Sequence, residues 1–285
     1  MKAPAFAYRK ATTVEQALGW LSEEGDAARL LAGGQSLLPA LNLRLTRPAW
    51  LIDIGALDPL RGITEGAGVL RLGALVTHRE IERSESVARH VPLLAQAAPH
   101  VAHVAIRNRG TIGGSLALAD PAAEYPAVAL ACEAVLVLRS LRGERRVAAK
   151  DYFLGLYQTA MAADEMLVAV EFPLAPSDQR CSFEELARRH GDYALTGLAA
   201  QARIGAAGQV DAIRLAFFAL ADRPILAVST GEALTGTRLE PEAVERAKVS
   251  LGRDLDPVGD LYSSPASKLH WAQVLLQRAC RAMRA

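Results

Sequence analysis

Apolar positions along this chain of 285 residues follow two rhythms, and the switches between them mark out most of the elements. Val14, Ala17, Leu18 and Leu21 recur at helical spacing behind Thr13 and Gln16, the pair that forms a capping box, so a helix is predicted there. The short apolar run 28–32 reads as a strand ending on Gly33-Gly34, and WLIDI (50–54) and VLRLGAL (69–75) read as further strands. Helices are predicted from about Thr77, around PLLAQAAPHVA (92–102), and from a first turn at Pro126 to Cys132. AVLVLRS and RRVAA, separated by Leu-Arg-Gly-Glu, predict a hairpin, and EMLVAVEFP predicts a buried strand closed by Pro173. After a shift in composition at LAPSDQR (174–180), CSFEELARR, ALTGLAAQARI and DAIRLAFFAL predict antiparallel strands. The tail places Leu269, Ala272, Leu276, Ala279 and Met283 on one helical stripe. Strands in clusters, without strict alternation with long helices, predict an α+β chain of two domains, 1–175 and 176–285.

Composition narrows the function classes. A hydrophobic content of 51% suffices for sizeable cores, and 32 basic against 31 acidic residues leave a net charge of +1 with the signs interspersed. That balance gives no electrostatic footprint for nucleic acid or for any strongly charged partner. The apolar runs fall short of the roughly 20 residues that span a bilayer. The start, MKAPAFAYRKATTVEQ, lacks the apolar centre of a secretory signal, so a soluble cytoplasmic protein is expected. Cys132, Cys181 and Cys280 lie far apart and form no C-x-x-C, so neither zinc nor an iron–sulfur cluster is expected on this chain's own ligands. His100 and His103 stand three apart, which fits one helix face, but no third ligand lies near them in sequence.

The chemistry concentrates in two glycine pairs. LLAGGQSLLP carries Gly33, Gly34 and Ser36, and AIRNRGTIGGSLALADPAAEYP carries Thr111, Gly113, Gly114 and Ser115. Glycine has no Cβ, so successive glycines let backbone N–H groups converge on an oxyanion, with the neighbouring hydroxyls adding donors. Two such turns suit a pyrophosphate or an extended dinucleotide. The chain has no Gly-Lys-Ser/Thr, which argues against an ATP-hydrolysing loop, and no G-x-G-x-x-G ahead of a helix, which argues against the Rossmann mode. The residues alone leave open that each pair is only a tight turn. They also leave open whether Asp120 and Glu124 accept from ligand hydroxyls or cap the helix near Pro126.

Leu30 to Ile54 and Ile106 to Val128 resemble the two flavin-binding signatures of the medium subunit of the molybdenum hydroxylases. This is the xanthine dehydrogenase family, in the separate-subunit form of carbon monoxide dehydrogenase. The resemblance extends to DEMLVAVEFP (164–173) and to RRHGDYALTGLAA (188–200). It implies a non-Rossmann FAD-binding domain of the PCMH/VAO type, with subdomains of about 1–56 and 57–175, followed by a C-terminal α+β domain with an antiparallel sheet. By the same resemblance, Ala32, Gly33, Gly34, Gln35, Ser36 and Leu37 wrap the FAD pyrophosphate and ribityl from one side. Thr111, Ile112, Gly113, Gly114 and Ser115 wrap them from the other. Asp120 and Glu124 take sugar hydroxyls, Leu167 packs on the adenine side, and Tyr193 stands close to the isoalloxazine. Arg107 and Arg109 are expected to fix their loop or meet a partner rather than touch FAD.

Gln35 and Leu118 replace histidines seen in relatives, and Glu184-Glu185 follow Phe183 where some relatives carry a lysine. These departures bear on how the flavin is tuned. The implied function is electron transfer within a heterotrimer. A large molybdopterin subunit and a small [2Fe–2S] subunit are the partners, arranged as a dimer of heterotrimers, and NAD, quinone or oxygen is the acceptor. No catalytic acid or base and no metal ligand is expected on this chain. The alternatives are a stand-alone flavin oxidoreductase, or a nucleotide-binding or assembly module that has lost flavin. On the backbone argument, Gly34→Val or Gly113→Val should abolish FAD retention in a folded chain, as read by bound-flavin absorbance. Ser36→Ala should cost only about 1.5–3 kcal/mol of binding.

Overall fold

The computed structural model describes residues 2–284. The chain opens with β1 (Ala7–Lys10), α1 (Val14–Glu24), β2 (Ala28–Leu31), α2 (Leu37–Asn42) and β3 (Trp50–Asp53). β3 lies between β1 and β2 in a three-stranded sheet, parallel to both, so that Trp50 is in register with Ala7 and with Ala28. Parallel neighbours require crossovers, and α1 supplies the first. Thr13 caps α1 by accepting from Gln16 N (3.1 Å), but the Gln16 carboxamide accepts from Thr12 N (2.8 Å) instead of reaching back to Thr13. The predicted box is therefore half formed.

A second sheet follows, built from β4 (Ile63–Gly66), β5 (Val69–Gly73), β6 (Val135–Ser140), β7 (Gly143–Ala148) and, later in the chain, the long strand Met166–Pro173. Between β5 and β6 run α3 (His78–Arg83), α4 (Glu85–His90), α5 (Pro92–Ala97), α6 (Val104–Arg107), α7 (Ile112–Leu118) and α8 (Glu124–Ala131). α9 (Ala149–Tyr152) and the small hairpin β8 (Phe153–Gly155)–β9 (Gln158–Thr159) lead to β10, the strand Met166–Pro173. The sheet order is β4-β5-β10-β6-β7, antiparallel throughout, and β10 is central. That position explains its mostly apolar run, interrupted by Glu171, since a central strand covered on both faces has no polar side.

Residues 174–178 carry the chain into a third sheet, β11 (Gln179–Ala187), β12 (Ala194–Ile204), β13 (Val210–Phe218) and β14 (Ile225–Leu226), again antiparallel. α10 (Val228–Leu234), α11 (Pro241–Asp254) and α12 (Pro265–Arg284) complete the chain. α12 packs on β11 and β12 with Ala272, Leu276, Ala279 and Met283 inward, as their stripe predicted.

α8 joins the second and third sheets. Every residue from Glu124 to Ala131 is buried, as expected of a helix that is apolar around its circumference. Its C-terminal carbonyls would be orphaned there. Gln201 Nε2 and Arg214 Nε, both from the third sheet, donate to Ala131 O at 2.8 and 3.0 Å, and Arg214 also donates to Leu130 O.

Several elements of seven residues or fewer, among them β1, β4, α2, α6 and α7, lie outside the sequence expectations, and so does the 14-residue helix α11.

Candidate functional site

The first glycine turn starts where β2 leaves its sheet. Gly34 has φ of 72°, the left-handed region that favours glycine, and the turn feeds directly into α2. Gln35 Nε2 donates to Gly33 O (3.0 Å) and ties the turn to itself. Among the described residues, the backbone N–H groups of Gly33, Gly34, Gln35 and Ser36 have no acceptor. Ser36 stands at the N-cap of α2, yet its hydroxyl makes no capping bond and the residue is exposed. Four successive free donors at a helix start form an anion cradle. Ala32 and Leu37, at either end, are half-buried.

The second turn is built differently. Ile112 N donates to Val76 O and Gly113 N to Ala74 O, both at 2.9 Å, which stitches the turn to the segment after β5. Thr111 caps α7, its Oγ1 accepting from Gly114 N (3.1 Å), and Ser115 N donates to Thr111 O (3.0 Å). The backbone donors here are spent within the protein, so the turn offers the hydroxyls of Thr111 and Ser115 and the bare face of Gly114. Gly113 is buried, and a Cβ on it would lie 2.5–2.8 Å from Ala74 atoms; Gly114 is exposed, with only Thr111 Oγ1 near. Gly113 is thus glycine for packing and Gly114 for access. Ile112, fully buried, points its side chain into the core.

The two turns touch. A Cβ on Gly33 would stand 2.1 Å from Arg109 O and 2.9 Å from Gly110 Cα, so main chain lies directly on main chain. Arg107 is buried and donates to Pro99 O, Val101 O and Ala102 O, fixing a loop as expected, whereas Arg109 is exposed.

Beyond α7, Asp120 folds back to accept from Ala122 N (3.0 Å), and its other oxygen lies 3.5 Å from the Tyr157 hydroxyl. Burial raises its pKa. Glu124, the first residue of α8, is buried and pushed up to about 7, by loss of solvent first and by the Asp120 charge second. Glu185 goes further, to about 8, through burial and then the nearby Glu124 charge. Its Oε2 has no hydrogen-bond partner and lies 3.7 Å from His100 Nδ1. Burial lowers the pKa of His100, and the neighbouring His190 lowers it further. The proton of this pair therefore rests on the carboxyl, and the contact is not an ion pair at neutral pH.

Tyr193 is 70% exposed and lies at the surface. Its pKa is raised by partial burial first and then by Asp120, Tyr157 and Glu124, so these groups lie near its hydroxyl. Leu167 lies apart from this exposed wall, 4% exposed within the core at an irregularity of β10. Tyr157 was missed in the sequence because it sits on the two-residue turn of β8–β9, with φ of 54° and no motif around it.

The family described as the FAD binding domain in molybdopterin dehydrogenase matches residues 4–175. The chain belongs to this family. Residues 181–283 match the CO dehydrogenase flavoprotein C-terminal domain. The nicotine 6-hydroxylase medium subunit of Paenarthrobacter nicotinovorans is 37% identical, over 98% of this chain and 97% of its own. A carbon monoxide dehydrogenase chain from Hydrogenophaga pseudoflava superposes with a TM-score of 0.96 at 36% identity, covering 99% of this chain and 98% of that one. Quinoline 2-oxidoreductase from Pseudomonas putida 86 gives 0.94 at 37% identity, with full coverage of both chains. The chain is an FAD-binding medium subunit of the molybdenum hydroxylase type and a component of an oxidoreductase. No helix among the described residues is long and apolar enough to cross a membrane.

The geometry revises the expectation for Gly113. Gly113→Val should lower stability by about 3 kcal/mol or more through overpacking on Ala74, whereas Gly114→Val should keep its melting temperature and lose flavin. Thermal melts paired with flavin absorbance separate the two. Glu185→Gln tests the protonated carboxyl. In wild type the folded state holds this proton above the ordinary value of 4.5 and loses stability as pH rises through about 8. Urea unfolding should therefore find the variant more stable than wild type near about pH 9, and the difference should vanish towards about pH 5.

Proposed function

We propose that this subunit holds FAD between its two glycine turns, receives electrons from [2Fe–2S] clusters of a small partner subunit, and passes them to an external acceptor: NAD, quinone or oxygen. A large molybdopterin subunit carries the substrate chemistry, and the assembly is a dimer of heterotrimers in the cytoplasm. The observation that carries the cofactor assignment is the cradle of four unspent N–H groups on residues 33–36, pressed against the hydroxyl-bearing second turn. FAD, when bound, would supply the capacity to take up electrons one at a time from one-electron donors and to release them singly or as a pair.

The chain's own residues bind, orient and exclude water. Gly33, Gly34, Gln35 and Ser36 present N–H donors to a diphosphate, and the Thr111 and Ser115 hydroxyls approach from the other turn. Asp120 and Glu124 face the sugar hydroxyls, with the protonated fraction of Glu124 giving it a donor as well as an acceptor. Tyr193, exposed beside Asp120, presents its ring to the isoalloxazine, while Leu167 backs the adenine side from within the core. The division at residues 175/176 belongs to the same proposal. It separates a cofactor-holding part from one that supplies Tyr193.

The location of the clusters on a partner is supported by the cysteines. Cys132 and Cys280 are buried, and burial raises all three thiols, Cys181 to about 11 and Cys280 to about 12. Protonated, scattered thiols are poor iron ligands. That the nicotine 6-hydroxylase relative is itself a medium subunit supports a multi-subunit assembly.

Coexpression with the genes beside it, followed by purification on this chain alone, should yield a complex containing flavin, iron and molybdenum. The isolated chain should show flavin absorbance yet turn over no substrate. A complex lacking both iron and molybdenum, or turnover by the isolated chain, would overturn the assignment in favour of a stand-alone flavoenzyme.

A further inference from the structure

Tyr193, in the loop after β11, and the second glycine turn, at the start of α7, lie far apart in sequence, and under the proposed function both address the same ligand. A continuous run of contacts joins them, and one side chain holds its centre. Arg107, the last residue of α6, is 6% exposed. Its Nη1 donates to three carbonyls of one kinked segment: Pro99 O at 3.2 Å, Val101 O at 3.2 Å and Ala102 O at 3.0 Å. Its Nε and Nη2 donate to the Glu82 carboxylate at 3.1 and 3.4 Å, and Arg79 holds that carboxylate from the other side at 2.7 Å. Ala102 has φ of 44°, so the segment turns sharply where the guanidinium grips it.

On one side of Arg107, Ile106 O accepts from Arg109 N (3.1 Å) and Gly110 N (2.7 Å), anchoring the entry to the glycine turn. On the other, the gripped segment presses on the loop between β11 and β12. A Cβ on Gly191 would lie 2.6 Å from His103 Nδ1 and 2.9 Å from Ala102 O, so the two backbones meet with no room between them. Asp192 N donates to Arg189 O (3.1 Å), closing the turn from which Tyr193 projects. The His100 ring, from the same segment, contacts His190 at 5.8 Å between centroids and Phe183 at 5.0 Å.

We propose that Arg107 is a positioning residue, which sets the Tyr193 loop relative to the second glycine turn through the segment 99–103. A planar fork with five donors serves three carbonyls and a carboxylate together; the single ammonium of a lysine does not. The tie stands on this geometry alone. Its consequence for flavin rests on the placement of Tyr193 given under the proposed function.

Hydrogen–deuterium exchange on the full-length protein tests it. Arg107→Met should speed exchange at least fivefold in both 99–103 and 188–193 while α12 keeps its protection. Arg109→Met, an exposed neighbour, should alter neither. Loosening of 99–103 with wild-type rates at 188–193 would overturn the tie. Should Arg107→Met fail to fold, His103→Ala breaks the run beyond the arginine, and unchanged rates at 188–193 in that variant would equally overturn it. A flavin-loaded sample supplies the second readout. Arg107→Met should raise flavin emission in the same direction as Tyr193→Phe. A loosened Tyr193 loop with unchanged emission would uphold the tie and overturn the placement of Tyr193 at the ring.

Discussion

Main chain resting on main chain, Gly33 against Arg109 and Gly110, is the contact on which the site depends. No side chain mediates it, and none fits: a single Cβ at Gly33 would lie 2.1 Å from a carbonyl oxygen, deep inside van der Waals contact. The contact brings the exit of a parallel strand to the entry of a helix some seventy residues later in the chain. It also explains why the turns are unequal. The second is stitched to the rest of its sheet through Val76 and Ala74 and acts as a fixed wall, while the first keeps its N–H groups unspent. Free donors lined against a rigid partner are preorganised for an anion, because no protein hydrogen bond has to break when it arrives.

The acidic side of the cleft follows the opposite logic. Asp120, Glu124 and Glu185 are drawn out of water, and among the described residues the only cationic group within ion-pairing reach of any of them is His100, whose own pKa burial lowers. Such carboxyls meet the desolvation cost by keeping protons, which is why Glu124 and Glu185 rise to about 7 and 8. Carboxyls that keep protons carry hydroxyl donors as well as acceptors, and little negative charge. They contrast with Glu165 and Glu171, equally buried, whose arginine partners hold them in ion pairs on the second sheet.

The third sheet does more than fill volume. Through Gln201 and Arg214 it caps α8, and through the loop after β11 it brings Tyr193 near Asp120 and Glu124. Tyr193 and the two carboxyls near it therefore come from both sides of residue 175, and the family matches likewise cover both parts of the chain.

Much of the fold was legible in the sequence. Helix α1, strands β3, β5, β10 and β12, the β6–β7 hairpin and the tail helix all carry enough apolar periods to declare themselves, and the departure from a Rossmann arrangement followed from the glycine spacing. The positions of the two turns were legible as well, because each glycine pair interrupts an apolar run beside hydroxyl residues. Their inequality was not. Gly113 and Gly114 read alike in sequence, and only the position of Ala74 makes one a packing glycine and the other an accessible one. Nor could spacing reveal Tyr157, the protonation of Glu185, or the grip of Arg107 on residues 99–102. Those depend on burial and on contacts between distant segments, and a pattern along the chain records which residues can turn inward without recording what they meet there.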